Sequence, residues 1–470
     1  MPHRAALRPF PLLTCKSFTL GFYFAWQPMK AERLKLSRPE TLWLVALVSS
    51  GINLKAAEPA FNDANWTSLG SGMNGSVRAL ALSGTNLYAG GLFTTAGDVT
   101  VNHVAKWDGR TWSALGSGVN SAVFALAVSG TNLYAAGIFT TAGNSNAHYV
   151  AKWNGSTWSA MGSGMNGYYV NALAVVGTSL YAGGNFSMAG FSTTYNVAVW
   201  NGTSWSGLGF GTGLDNTVYS LAVSGNNLYA GGDFTRADSS TTVNSIAKWN
   251  GSSWSALGSG MGGTDLNSVY AIVIAGTGLY ASGLFTTAGN SSAGDLAIWN
   301  GSSWSSPGWF GAGTNYYPSV YALALSSSDL YAGGDFTSAS GIPANHIAKR
   351  TGTNWLALGS GLNGTVRALA VSGDDLYVGG DFTTAGNKSS PYIAHAYLPA
   401  LPTLSIAQSA GDITISWPST NLGFVLEQSP SLAQPITWLP NAATISDDGT
   451  NASVTLSATN SLQLFRLRRP

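Results

Sequence analysis

One phrase recurs seven times along this chain. In its first copy, Val77-Arg78-Ala79-Leu80-Ala81 runs through Ser83-Gly84 to Leu87-Tyr88-Ala89-Gly90-Gly91, then to Val104-Ala105-Lys106-Trp107 and Trp112-Ser113-Ala114-Leu115. The last Trp of the phrase falls at Trp66, Trp112, Trp158, Trp205, Trp254, Trp304 and Trp355, at spacings of 46 to 51 residues. A period of this length means an array of supersecondary units, none of which buries a core alone.

Each copy holds four short β-rich runs, here a, b, c and d in chain order. The a run ends in Ser-Gly, and b follows after a short turn. A longer loop leads to c, and Asn-Gly-Ser-Ser or a close variant joins c to d. Apolar and alternating runs bounded by Gly, Asn and Ser read as strands, and Asn-Gly is a strong hairpin signal. The turn type stays open. If Trp107 and Trp112 pair directly, four residues form the connection, whereas a two-residue turn at Asp108-Gly109 would offset them.

Four strands in each of seven copies predict an all-β fold, a seven-bladed β-propeller over residues 57–398. The alternative is an open solenoid. One orphan d run, Asn65–Leu69, precedes the first a run, and the seventh copy has a, b and c (Ile393–Tyr397) but no d. Closure by the N-terminal strand would complete the last blade and remove an exposed edge. After Pro399–Pro402, read as a linker, residues 403–470 alternate over six or seven short runs. They predict a small β-sandwich of immunoglobulin or fibronectin type. Its basic end, Arg466, Arg468 and Arg469, reads either as a docking element or as a solvated edge.

The diglycines Gly90-Gly91, Gly183-Gly184, Gly231-Gly232, Gly333-Gly334 and Gly379-Gly380, each followed by a strand, a turn and a Trp, resemble the kelch repeat of galactose-oxidase-like propellers. The chain departs from that pattern in having Trp where kelch has Tyr, and Ala136-Gly137 and Ser282-Gly283 in two copies. The longer phrase Ile-Ala-Lys-Trp-Asn-Gly-Ser-Ser-Trp is similar to repeats of exported bacterial proteins and of fungal cortical cell-polarity markers. The resemblance spans residues 62–397. It implies the architecture and leaves the activity open, because one scaffold serves many functions.

Residues 1–56 read as an export region. Basic residues from Lys30 to Arg38 precede an apolar run, Thr41–Ile52, and Leu54-Lys55-Ala56 offers a cleavage site; Met29 is an alternative start. A buried N-terminal helix is the alternative reading. A secreted, periplasmic or cell-surface location follows. That region holds eight Lys/Arg and two Asp/Glu, which leaves 13 basic and 18 acidic residues elsewhere and no basic stripe for nucleic acid. The one cysteine, Cys15, lies upstream of the expected mature start, so no disulfide, thiol nucleophile or copper-radical chemistry is expected there. No cofactor is expected, and the protein reads as a monomer.

His103, His148 and His346 recur before c runs, but on different repeats, which argues against a shared metal. Asp233, Asp335 and Asp381 follow the diglycine in copies 4, 6 and 7. Asp335 and Asp381, on neighbouring blades, could serve acid/base or glycosidase chemistry, or cap a strand end. The d–a and b–c loops vary most. They gain Tyr168, Tyr169, Phe191, Tyr195, Phe210, Trp309, Phe310, Tyr316 and Tyr317. Trp309 is the one Trp between residues 57 and 398 that the repeat does not explain. Aromatics on loops of a rigid scaffold suit sugar or peptide recognition, or they pack on the loop bases. The favoured reading is an exported, non-catalytic binder of an extracellular polysaccharide or surface protein through Trp309, Phe310, Tyr316, Tyr317, Tyr168, Tyr169, Phe191 and Tyr195. The alternatives are a glycan hydrolase or lyase using Asp335 and Asp381, and a surface scaffold held by the last module.

Overall fold

The computed structural model describes residues 61–209, 213–263, 267–311, 318–326 and 329–398, the dipeptide Leu44–Val45, and residues 405–409, 412–418, 425–429, 439–441, 443–457 and 464–468. It falls into two compact units, one spanning Phe61–Leu398 and the other holding the described residues from 405 onward with Leu44–Val45. Strands dominate both, so the chain is all-β, consistent with a β-propeller.

Repeats 1 to 6 each fold into an antiparallel sheet in the order a, b, c, d, joined in repeat 3 by the short strand Ser192–Thr193, and in repeat 7 the strands a, b and c are followed by Trp66–Ser68. In repeat 1 the four strands are Val77–Ser83, Asn86–Gly91, Val104–Trp107 and Trp112–Ala114. Local chemistry explains the turns. Ser83 pairs with Asn86, so a and b join through Gly84-Thr85, and Gly84 sits at φ 57°, a conformation that side chains disfavour. Between c and d, Trp107 pairs directly with Trp112 and residues 108–111 form the connection. The Asp108 carboxylate accepts from the N–H groups of Arg110 and Thr111, and Asn154 does the same for Ser156 and Thr157. That side-chain cap is why the loop opens with Asn or Asp.

The two glycines closing strand b differ in purpose. A Cβ on Gly91 would land on the Ser76 carbonyl oxygen of its own sheet, and every repeat keeps this glycine. A Cβ on Gly90 would press on the Val123 side chain of the next repeat, a contact that can yield. Ala136 and Ser282 stand at that first position. Opposite the pair, strand a slips register between Val77 and Ala79, which leaves Arg78 in a bulge; the same shift recurs in repeats 2 to 7.

Hydrophobic cores lie between consecutive repeats: Val104 and Tyr88 of repeat 1 pack with Val123, Leu133, Phe139 and Trp158. Five d-strand Trp residues donate their indole N–H to a carbonyl of the preceding repeat, as Trp112 to Leu69 at 3.0 Å and Trp158 to Leu115 at 2.7 Å, whereas the buried Trp254 indole finds no acceptor among the described residues. Neighbouring a strands pack on one another along the array, and Val366–Ser372 of repeat 7 packs on Val77–Ser83 of repeat 1. Trp66–Ser68 pairs with Ala394–Ala396, the last c strand.

The second unit has two four-stranded sheets. Ile415, Trp417, Ala452 and Val454 of one share a core with Leu426 and Phe465 of the other. Leu44–Val45, inside the apolar run read as an export signal, pairs antiparallel with Phe465 and Leu464. The basic segment, the cleavage site and the linker 399–402 lie outside the described residues. Arg466 and Arg468 stand opposite Glu427 and Val425 in the strand register, and Arg469 is outside the described residues. Among the described residues, no helix is long and apolar enough to cross a membrane.

Candidate functional site

The exposed loop aromatics that the structure describes come from two separate repeats. Trp309, Tyr168, Tyr195 and Phe191 are exposed, Phe191 at 96%. Phe191 follows Gly190 at a hairpin tip, where Gly97-Asp98 and Gly143-Asn144 carry polar residues in other copies. Trp309 precedes a buried slot, at a place where other copies have a glycine such as Gly72. Tyr168, Phe191 and Tyr195 belong to repeat 3 and Trp309 to the entry of repeat 6, so the sheets of repeats 4 and 5 lie between them. Tyr169 is half-buried, and Tyr316, Tyr317 and Phe210 lie outside the described residues.

Phe310 corrects the sequence reading. It is 5% exposed and packs against Phe336 at 4.7 Å and Trp355 at 5.0 Å. It pairs with Ala339 as Met73 pairs with Ala96 and Met261 with Ala288, so it fills the slot that other copies give to an aliphatic residue. Burial there removes it from contact with a ligand.

The structure instead draws together a set of residues from the a-strand bulges. These are Arg78, Phe124, Asn171, Tyr219, Tyr270, Tyr321 and Arg367, all half-buried. Tyr219 and Tyr270 meet edge to face at 5.5 Å, and Tyr270 and Tyr321 lie at 5.2 Å. The Arg367 guanidinium sits 4.5 Å over the Tyr321 ring. Four consecutive repeats thus give a continuous run of ring and guanidinium faces.

The aspartates after the diglycine tie this run together. Asp233 accepts from the Tyr219 hydroxyl at 2.7 Å and from Ser268 of the next repeat at 2.5 Å. Asp381 repeats the arrangement, with Arg367 at 2.9 Å and Ser76 of repeat 1 at 2.5 Å. Arg78 approaches the same carboxylate at 3.7 Å. Asn185 donates to Thr217 at 3.2 Å in the equivalent place. Asp335 lies 3.8 Å from the His346 ring.

Electrostatics follow from this bonding. Burial pushes the Asp381 carboxyl up, but the Ser76 hydroxyl and the Arg367 and Arg78 guanidiniums outweigh it and hold the group below the usual carboxylate range. Burial, followed by the hydrogen bond to Asp233, drives the Tyr219 hydroxyl far above the ordinary phenol range. Burial also raises Tyr270. For Arg78, burial and the neighbouring Arg367 charge lower its affinity for its proton, against the pull of Asp381.

Beside this run lies a cleft of about 390 Å³, lined by Tyr219, Tyr270, Asp233, Asn216, Asn267 and Leu284, among others. Ring faces beside carboxamides and a carboxylate form an amphipathic lining that could receive a small polar molecule. Leu92 and Ile138 occupy the Asp233 position in repeats 1 and 2 and are exposed and apolar. His103 and His346 each bond through Nδ1 to a carbonyl of their own repeat, Gly91 and Gly334. Among the described residues, no group of three His, Cys, Asp or Glu could hold a metal ion.

Sequence reasoning singled out Asp233, Asp335 and Asp381 and missed the bulge residues. A signal for them was present: within the otherwise regular Val-x-Ala or Val-x-Ser phrase, the middle position alone changes from Arg to Phe, Asn, Tyr and back to Arg.

No protein-family model matches the chain, and no curated protein matches it. Among solved structures, the computationally designed Ika8 protein is similar at 15% identity and a TM-score of 0.42, over 83% of this chain and 99% of that one. The designed Ika4 protein is similar at 19% identity and a TM-score of 0.26, over 39% and 97%. A glycoside hydrolase is similar at 9% identity and a TM-score of 0.27, over 87% and 96%.

Proposed function

We propose that this protein is an exported, non-catalytic binder of an extracellular carbohydrate, built as a kelch-like, seven-bladed β-propeller with a C-terminal β-sandwich. Three contacts support closure of the ring: the pairing of Trp66–Ser68 with Ala394–Ala396, the packing of Val77–Ser83 on Val366–Ser372, and the bond from the Trp66 indole to Leu358. The basic-then-apolar order of residues 30–52 supports export.

The observation that carries the binding reading is the cleft formed by Tyr219 and Tyr270. A pyranose ring has apolar C–H faces and a polar rim, and this lining offers both an aromatic wall and side-chain amides. The Asp381 carboxylate is engaged by Ser76 and Arg367 and held ionised, which suits an anchoring role better than that of a general acid. The loop aromatics Trp309, Tyr168 and Phe191 serve as secondary contacts for a long polymer.

Binding of the purified full chain to a panel of polysaccharides tests this. Tyr270→Ala should weaken capture at least tenfold with unchanged folding, and the Trp309→Ala, Tyr168→Ala, Phe191→Ala triple variant should weaken it less. Equal binding by wild type and Tyr270→Ala would overturn the site.

A further inference from the structure

The run of ring faces that leaves the cleft ends on two cations sharing one anion. Arg367 directs both Nε and a terminal nitrogen to a single Asp381 oxygen at 2.9 Å. Arg78 meets that carboxylate at 3.7 Å, beyond hydrogen-bond range, and its buried Nε has no hydrogen-bond partner among the described residues. That Nε is closed to solvent, so what Arg78 can offer an arriving acceptor is its terminal nitrogens, which reach Asp381 only beyond hydrogen-bond range. Side-chain exposures of 32% for Arg78 and 25% for Arg367 leave both open to a molecule arriving from solvent. The Tyr321 ring lies beneath the Arg367 guanidinium, whose Nε edge is spent on Asp381, so a second anion would meet its remaining terminal nitrogen together with Arg78.

We propose that Arg78 and Arg367 form an anion site for the carboxylate of an acidic sugar, so that the ligand is a polyuronate rather than a neutral glycan. This rests on the reading of the Tyr219–Tyr270 cleft as a sugar site and names the class of sugar. Tyr270 lines that cleft and also packs on Tyr321, which Arg367 covers, so a polymer seated in the cleft has the two guanidiniums one ring further along the same row. Leu92 and Ile138, the exposed apolar residues at the aspartate position of repeats 1 and 2, offer such a group nothing.

The test compares polygalacturonate and alginate with the same polymers after reduction of their carboxylates to alcohols. Wild type should bind the acidic forms at least tenfold more tightly, with a preference that shrinks as salt rises. Arg78→Gln with Arg367→Gln should bring affinity for the acidic polymers down to that for the reduced ones. Arg78→Lys should keep part of it, and unfolding midpoints confirm that each variant is folded. Equal binding of acidic and reduced polymers by wild type, or a preference that survives the double Gln change, overturns the anion site while the sugar reading stands. No binding of either form overturns both.

Discussion

The Trp66 indole N–H donates to the Leu358 carbonyl at 3.1 Å across 292 residues of chain. The bond is the same one by which Trp112 holds Leu69 and Trp304 holds Leu257. The N-terminal strand therefore takes the place of the d strand that repeat 7 lacks. Phe61 caps the indole edge on at 5.5 Å, and Lys388 donates to the Ala64 and Trp66 carbonyls.

Trp66→Phe should lower stability by about 2–3 kcal/mol, through the lost hydrogen bond and the cavity left by the pyrrole half of the fully buried indole. Trp66→Ala should cost about 3–5 kcal/mol. Urea unfolding checks both, with Trp112→Phe as an internal comparison expected to match Trp66→Phe.

The two glycines of each pair should respond differently to a methyl group. Gly184→Ala puts its Cβ against the Tyr169 carbonyl and should cost about 3 kcal/mol or more. Gly183→Ala meets a valine side chain, as Ala136 does in repeat 2, and should cost about 1 kcal/mol. Equal losses in thermal unfolding would contradict this division.

Phe310→Ala should destabilise by about 3–5 kcal/mol, since it empties a packed slot between Phe336 and Trp355. Trp309→Ala, one residue earlier and half in water, should change stability by about 0.5 kcal/mol or less. Calorimetry of the two variants separates core from surface.

Asp295 should make stability depend on pH. It is 7% exposed, and burial, opposed by a hydrogen bond from the Phe285 backbone, pushes its pKa from 3.8 to about 7. Below about pH 4 the acid is protonated in both states. Between there and about pH 7 the unfolded chain ionises while the folded protein keeps its proton, so stability falls across that window and levels off above it. The loss is on the order of 2–4 kcal/mol. Asp295→Asn should flatten this part of the profile in unfolding experiments at pH 4 to 7.5.

Much of the fold was legible because its determinants are local. Gly84 at its turn, Asp108 and Asn154 capping their loops, and the alternation of strand b all act within a few residues. The direct pairing of Trp107 with Trp112 was one of two turn geometries that the sequence allowed. The site was less legible. Phe310 reads as a loop aromatic until its alignment with Met73 and Met261 places it in a core slot, because one deleted residue hides the correspondence.

By itself the sequence determined the repeating unit, its four strands, its turns and the orphan strand at Trp66, since each depends on neighbours along the chain. Only the tertiary structure decided that Tyr219, Tyr270, Tyr321 and Arg367 form one surface, and that Arg78 reaches the carboxylate of Asp381. Those residues lie about one repeat apart in sequence, except for Arg78 and Asp381, which lie near opposite ends of the unit. Packing of each a strand on the next brings their bulges side by side, and no periodicity within a single repeat encodes which residue types will meet there.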